Sequence, residues 1–126
     1  MAKAYRDMSA EEKSRYWEVF HQTCDTLRFA IIDLTVAAAG AERSSAASVI
    51  LAEKLRLESE LALLESHATT VVAGAVAISP PSAEDVAKVT ELARQVDVMT
   101  ANAETFRGVL TLTKDALETY GKVRGA

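Results

Sequence analysis

Three observations predict an all-α protein, built as an elongated up-down-up antiparallel three-helix bundle with coiled-coil-like packing. Apolar residues at Trp17, Phe20, Cys24, Leu27, Ile31, Leu34 and Ala38 recur in alternating steps of three and four, the seam of a long helix lying against other helices. The composition is rich in alanine, with two prolines, five glycines and 6% aromatic residues, which favours helices over strands. The strongest chain-breaking signals stand at Gly40 and at Ser79-Pro80-Pro81-Ser82, so the connections are short and sequential helices are antiparallel neighbours. A four-helix bundle, formed by breaking one helix or by dimerisation, is the alternative.

The first helix is predicted over 10–39. Ser9 and Glu12 form a capping box, in which the serine hydroxyl accepts from the third helical N–H and Glu12 reaches back to the cap. Glu11 and Glu12 also sit where the helix dipole favours negative charge, and Gly40 is the natural stop. Residues 1–8 read as a short leader with nothing to fix it. The second helix, over 45–77, is capped by Ser44 or Ser45. Its seam is Ile50, Leu57, Leu61, Leu64, Ala68, Val71, Ala75 and Ile78, with Lys54 as the one fault. Gly74 and the β-branched residues weaken its end, where a strand would be lone and unpaired. The third helix, over 83–120, starts at a Ser82 cap followed by Glu84 and Asp85. Its seam runs Val89, Leu92, Val96, Met99, Ala103, Phe106, Leu110, Thr113, Leu117 and Tyr120.

A chain of 126 residues forms one domain, spanning 1–126, and can bury a core without metal or disulfides. A net charge of −4, with only thin basic pairs at Lys54/Arg56 and Lys122/Arg124, disfavours nucleic acid and anionic membranes as partners. The longest apolar run, 68–78, is too short to span a bilayer, which needs about 20 residues. A single cysteine permits no internal disulfide, and the N-terminal run lacks the apolar core of a signal peptide, so the expected location is the cytoplasm.

Some apolar residues do not fit a three-helix seam. Phe29, Ile32 and Val36 fall outside it on the first helix, as do Val49, Leu51 and Leu55 on the second and Leu112 on the third. Antiparallel pairing about Gly40 gathers them at one end of the rod, and an exposed apolar surplus marks an interface. The predicted partner-binding residues are therefore Phe29, Ile32, Val36, Leu51 and Leu55.

Glu18 and His21 have the E-x-x-H spacing that puts two ligands on one helical face, and antiparallel pairing brings His67 toward the same level. Glu18, His21 and His67 are thus the candidate metal ligands, although a site needs three or four that converge. Cys24 lies in the seam as a small buried apolar residue. Tyr16, Trp17 and Phe20 form an aromatic plug at the end of the bundle near Pro80-Pro81. No phosphate loop, nucleophile elbow, cysteine pair or Ser/His/Asp set occurs, so neither an enzyme nor a cofactor is expected.

The function these features predict is a non-enzymatic interaction protein that binds itself, as a homodimer, or another protein through helix faces. A specific version is a small acidic inhibitor or immunity-type protein, steered by Asp25, Asp33, Glu53, Glu58 and Glu60. The alternatives are a metal-binding or redox bundle using His21, Glu18 and His67, and an assembly or secretion chaperone that holds an amphipathic helix.

Overall fold

The computed structural model describes residues 2–41, 45–99, 101–102 and 104–124. Ser44, Ala103 and Gly125 lie outside that set. Among the described residues the fold is all-α apart from one two-residue strand pair. Four helices, α1 (Ala10–Gly40), α2 (Ala46–Val72), α3 (Ala83–Val98) and α4 (Phe106–Arg124), are joined by short connections. Strands β1 (Lys3–Ala4) and β2 (Ala77–Ile78) pair antiparallel, Lys3 opposite Ile78 and Ala4 opposite Ala77.

The single third helix predicted over 83–120 is two helices, so the three-helix arrangement gives way to a count of four, as in the broken-helix alternative. Local polar chemistry makes the break. The Asn102 side-chain oxygen accepts from the backbone N–H of Glu104 at 2.8 Å and of Thr105 at 3.1 Å, and the Thr105 hydroxyl accepts from Asn102 N–H at 3.0 Å. This reciprocal arrangement satisfies donors that a new helix would leave orphaned. It turns the chain back, so that α4 runs antiparallel to α3. Gly108 makes room for the turn, since a Cβ there would lie 3.2 Å from the Met99 methyl.

α1 is the central element and packs against α2 on one flank and against both α3 and α4 on another. Beside the apolar seam, α1 buries a second stripe that is mostly small after Val19. Thr23, Thr26, Ala30 and Ala37 are all buried on α1 and allow two helices to approach it closely. The Thr26 hydroxyl is satisfied by its own helix at Gln22 O, 2.8 Å away, whereas Thr23 Oγ1 is buried without a partner among the described residues.

The Ser9/Glu12 capping box forms as predicted, and the predicted Ser82 cap is a full capping box too. Ser9 Oγ accepts from Glu12 N while Glu12 accepts from Ser9 N, and Ser82 and Asp85 make the same exchange. The predicted cap at Ser45 does not form: Ser45 has helical dihedrals and makes no side-chain cap bond. Gly40 is the last residue of α1, and it holds no left-handed turn. That role falls to Gly74, at φ 78°, where Gly74 N–H reaches Val71 O and Ala75 N–H reaches Thr70 O, both at 3.0 Å. The pair is a Schellman motif, and it ends α2 at Val72 instead of near 77.

The freed chain then supplies β2, whose partner is the N-terminal segment, so the predicted unpaired strand is paired. Residues 1–8 are correspondingly anchored wherever described. The Lys3 ammonium pairs with Glu12 at 3.0 Å, Tyr5 Oη accepts from Trp17 Nε1 at 2.9 Å, and Met8 is buried in the core. Among the described residues, no helix is long and apolar enough to cross a membrane.

Candidate interaction face

Each residue of a helix advances about 100° around the axis, so positions three and four apart form one stripe. On α2 the stripe is Leu51, Leu55, Glu58, Ala62, Glu65, Thr69 and Val72. On α1 the facing stripe is Trp17, His21, Arg28 and Ile32, with Phe20 and Ile31 at its inner edge. The two border a groove that runs along the α1/α2 pair. One segment, about 490 Å³, is lined by Arg28, Ile31, Ile32, Glu58, Leu61, Ala62 and Glu65. The next, about 580 Å³, is lined by Trp17, Phe20, Glu65, Ala68, Thr69, Val72 and Ala73. Glu65 belongs to both, so the segments are continuous.

The groove exists because α2 is covered on fewer sides than α1. α2 lies along α1 and meets α4 at its opposite edge through His67 and Tyr120, while its remaining surface faces outward. Ile32 is 60% exposed and Leu55 63%, and Leu51 and Val72 are each about half exposed. Branched side chains left this open are costly to hydrate.

The five predicted contact residues divide. Ile32 lines the groove and Leu51 and Leu55 continue its α2 edge. Val36 is exposed but lies in a different depression, beside Ala37, Gly40, Ala101, Asn102 and Glu104. Phe29 is only half-exposed and packs against the core, so it does not share the open face. The reason is the fourth helix: with α3 and α4 both on α1, a wider arc of α1 is covered than three helices would cover. Trp17, Leu61, Ala62 and Val72 belong to the groove and were missed. For Ala62 and Val72 the signal was available in the 3–4 spacing that links Val72 to Leu55 through Glu65 and Ala62.

Three of the five steering acids are paired on their own helices. Asp25 reaches Arg28 at 3.5 Å, Glu53 reaches Arg56 at 2.8 Å and Glu58 reaches Lys54 at 3.1 Å. Asp33 is half-buried, with Oδ2 unpartnered, and its pKa is raised by burial and by Asp97. The Lys54–Glu58 pair explains the fault in the α2 seam. Lys54 is half-buried at its seam position, and its ammonium reaches the more exposed Glu58 carboxylate.

The metal candidates take separate roles. His21 is exposed and stacks on Trp17 at 5.9 Å between ring centres, and Glu18 is exposed. His67 points the other way, with Nδ1 2.7 Å from Tyr120 Oη. Among the described residues no three His, Cys, Asp or Glu side chains gather as a metal site would need.

His67 instead ends a hydrogen-bonded chain across the bundle. Tyr120 Oη is also 2.8 Å from Tyr16 Oη, and both tyrosines are buried. One proton order satisfies every hydroxyl: Tyr16 donates to Tyr120, and Tyr120 donates to neutral His67. The reverse order would leave the Tyr16 proton without an acceptor. Burial raises both tyrosine pKa values, and burial followed by the Arg124 charge lowers that of His67. The aromatic cluster at this end combines Tyr16, Trp17, Phe20 and Tyr5, with Tyr5 supplied by the N-terminal segment. Cys24 is fully buried, and burial pushes its thiol up to about 11.

Comparison with protein-family models, curated proteins and solved structures finds no match to this chain.

Proposed function

We propose that this protein is a non-enzymatic helical interaction module that binds protein through the α1/α2 face. The observation that carries the reading is the groove itself: two continuous segments flanked by Ile32, Leu51, Leu55 and Val72, all exposed, beside seams that the other helices match internally. A shallow trough between two helices suits the apolar side of another helix or helix pair. The single buried cysteine and the acidic charge balance are consistent with work in a reducing cytoplasm, away from nucleic acid.

The test is site-specific photocrosslinking. A photoreactive phenylalanine analogue replaces Ile32, Leu55 or Val98 in chains expressed in the native host. Val98 is the control, because it is 69% exposed but lies on α3. Discrete adducts from Ile32 and Leu55, with none from Val98, support the face. Adducts from all three positions alike, or from none, refute it.

A further inference from the structure

The α1/α2 face carries both halves of a complementary charge pattern. Its α1 edge presents Arg28 and its α2 edge presents Glu58 and Glu65. Among the described residues, Arg28 is held only by Asp25 on its own helix at 3.5 Å, and Glu65 makes no ion pair. A different protein would need to match this pattern with its own. A second copy of this chain already carries the matching charges, because a twofold axis along the groove sets the α1 edge of one copy opposite the α2 edge of the other.

Resting on the interaction reading above, we infer that the occupant of this face is a second copy of the chain, related by a twofold axis along the groove. That operation lays α1 of one copy over α2 of the other. Arg28 shares the groove segment of Leu61 and Ala62, so it arrives between Glu58 and Glu65 of the second copy, one turn to either side. The contact occurs twice. Ile32 descends toward Leu55 on the same overlay, and the Trp17 end meets the Val72 end.

The size of the patch places it among interfaces. From Trp17 to Ala39 is roughly 33 Å of helix, and two helices side by side are roughly 20 Å wide. The product is about 650 Å² a side, somewhat under the roughly 800 Å² that each partner gives to a standard interface. A patch below the standard size belongs with weaker, concentration-dependent contacts, so association is followed from about 1 to 100 μM.

Sedimentation equilibrium of the full chain over that range tests this, with helicity followed by circular dichroism. The wild type passes from monomer to dimer mass. Arg28→Glu and Glu65→Arg, alone, each weaken association at least about tenfold by setting like charges opposite one another. An equimolar mixture of the two variants recovers it. In the mixed pair, one contact sets the introduced glutamate against the introduced arginine, and the other keeps the native arginine against the native glutamate. Leu55→Asp abolishes association, while Val98→Asp leaves it intact. A monomer at all concentrations overturns the inference, as does a dimer that ignores Leu55→Asp or a mixture that fails to recover. If the chain is monomeric while Ile32 and Leu55 still crosslink to another protein, the second copy is refuted and the interaction reading stands. If those positions give no adducts, both fall.

Discussion

Replacing Tyr120 by phenylalanine removes one oxygen and almost no volume, yet it breaks the bridge between Tyr16 on α1 and His67 on α2. Tyr16 is fully buried, so its O–H is left with no acceptor, while His67, half-exposed, regains water. A buried donor without a partner costs about 1–3 kcal/mol, and the lost bond to His67 adds about 0.5–1 kcal/mol. Tyr120→Phe should therefore destabilise by about 2–3 kcal/mol, or roughly 8–12 °C in Tm for a chain of this size. Tyr16→Phe leaves Tyr120 still donating to His67 and should cost only about 0.5–1.5 kcal/mol. The double variant should cost less than the sum, since the orphaned Tyr16 proton is gone. Urea unfolding, with an unchanged m-value, measures all three. Equal costs for the two single variants, or strict additivity, would refute the ordered chain. The same order governs pH. Protonated His67 donates at Nδ1, which forces Tyr120 toward Tyr16 and strands the Tyr16 proton. The folded-state pKa of His67 thus lies below its unfolded value of about 6.5. Between the two values the unfolded chain binds more protons, so the contribution is fully present above about 6.5 and is lost as pH falls through the folded value. His67→Gln should flatten this acid slope.

Three further outcomes follow from single residues. Cys24, buried and with its pKa raised to about 11, should resist a thiol reagent at neutral pH in the native protein and react promptly in urea; fast native labelling would contradict the buried seam. Gly74→Ala forces a side chain into φ 78° and should cost about 1–2 kcal/mol in thermal unfolding; no loss would mean that the Schellman turn is not maintained. Asp33→Asn removes a charge that faces Asp97 while one of its oxygens is buried and unpartnered, and should stabilise by about 0.5–1 kcal/mol at neutral pH, a figure reduced for partial solvent screening. Because the folded-state pKa of Asp33 is raised, the wild type recovers as pH falls and the aspartate protonates, so the advantage of the variant should shrink in acid.

The parts of the fold legible in the sequence are those in which a long-range period or a complete local motif acts alone. The seams of α1 and α2 are periods sustained over many turns, and Ser9/Glu12 and Ser82/Asp85 are self-contained caps. The split between α3 and α4 escaped because Val96, Met99 and Phe106 keep a spacing that an unbroken helix would also keep. Only Asn102 and Thr105, three residues apart and polar, contradict it. The β1/β2 pair is two residues long and leaves no periodic trace. On the candidate face, Ile32, Leu51 and Leu55 were visible as apolar residues outside the seam, but Phe29 looked the same.

What separates Phe29 from Ile32 is the number of helices on α1, and the clue to that number lay on the opposite flank. Thr23, Thr26, Ala30 and Ala37 form a stripe of small residues next to the apolar seam. A helix in a three-helix bundle has two neighbours and needs no such second flank. A helix with three neighbours does, because close approach of the additional pair requires short side chains. Once α3 and α4 occupy that flank, Phe29 falls at its border and is half covered, whereas Ile32 turns toward α2 and stays open. α2 has no comparable small-residue flank: its outward stripe carries Leu51, Leu55 and Val72 beside Glu58 and Glu65. The covered and open faces therefore have one cause. Small residues mark where this chain packs its own helices closely, and large apolar residues alternating with charges mark the face it leaves open.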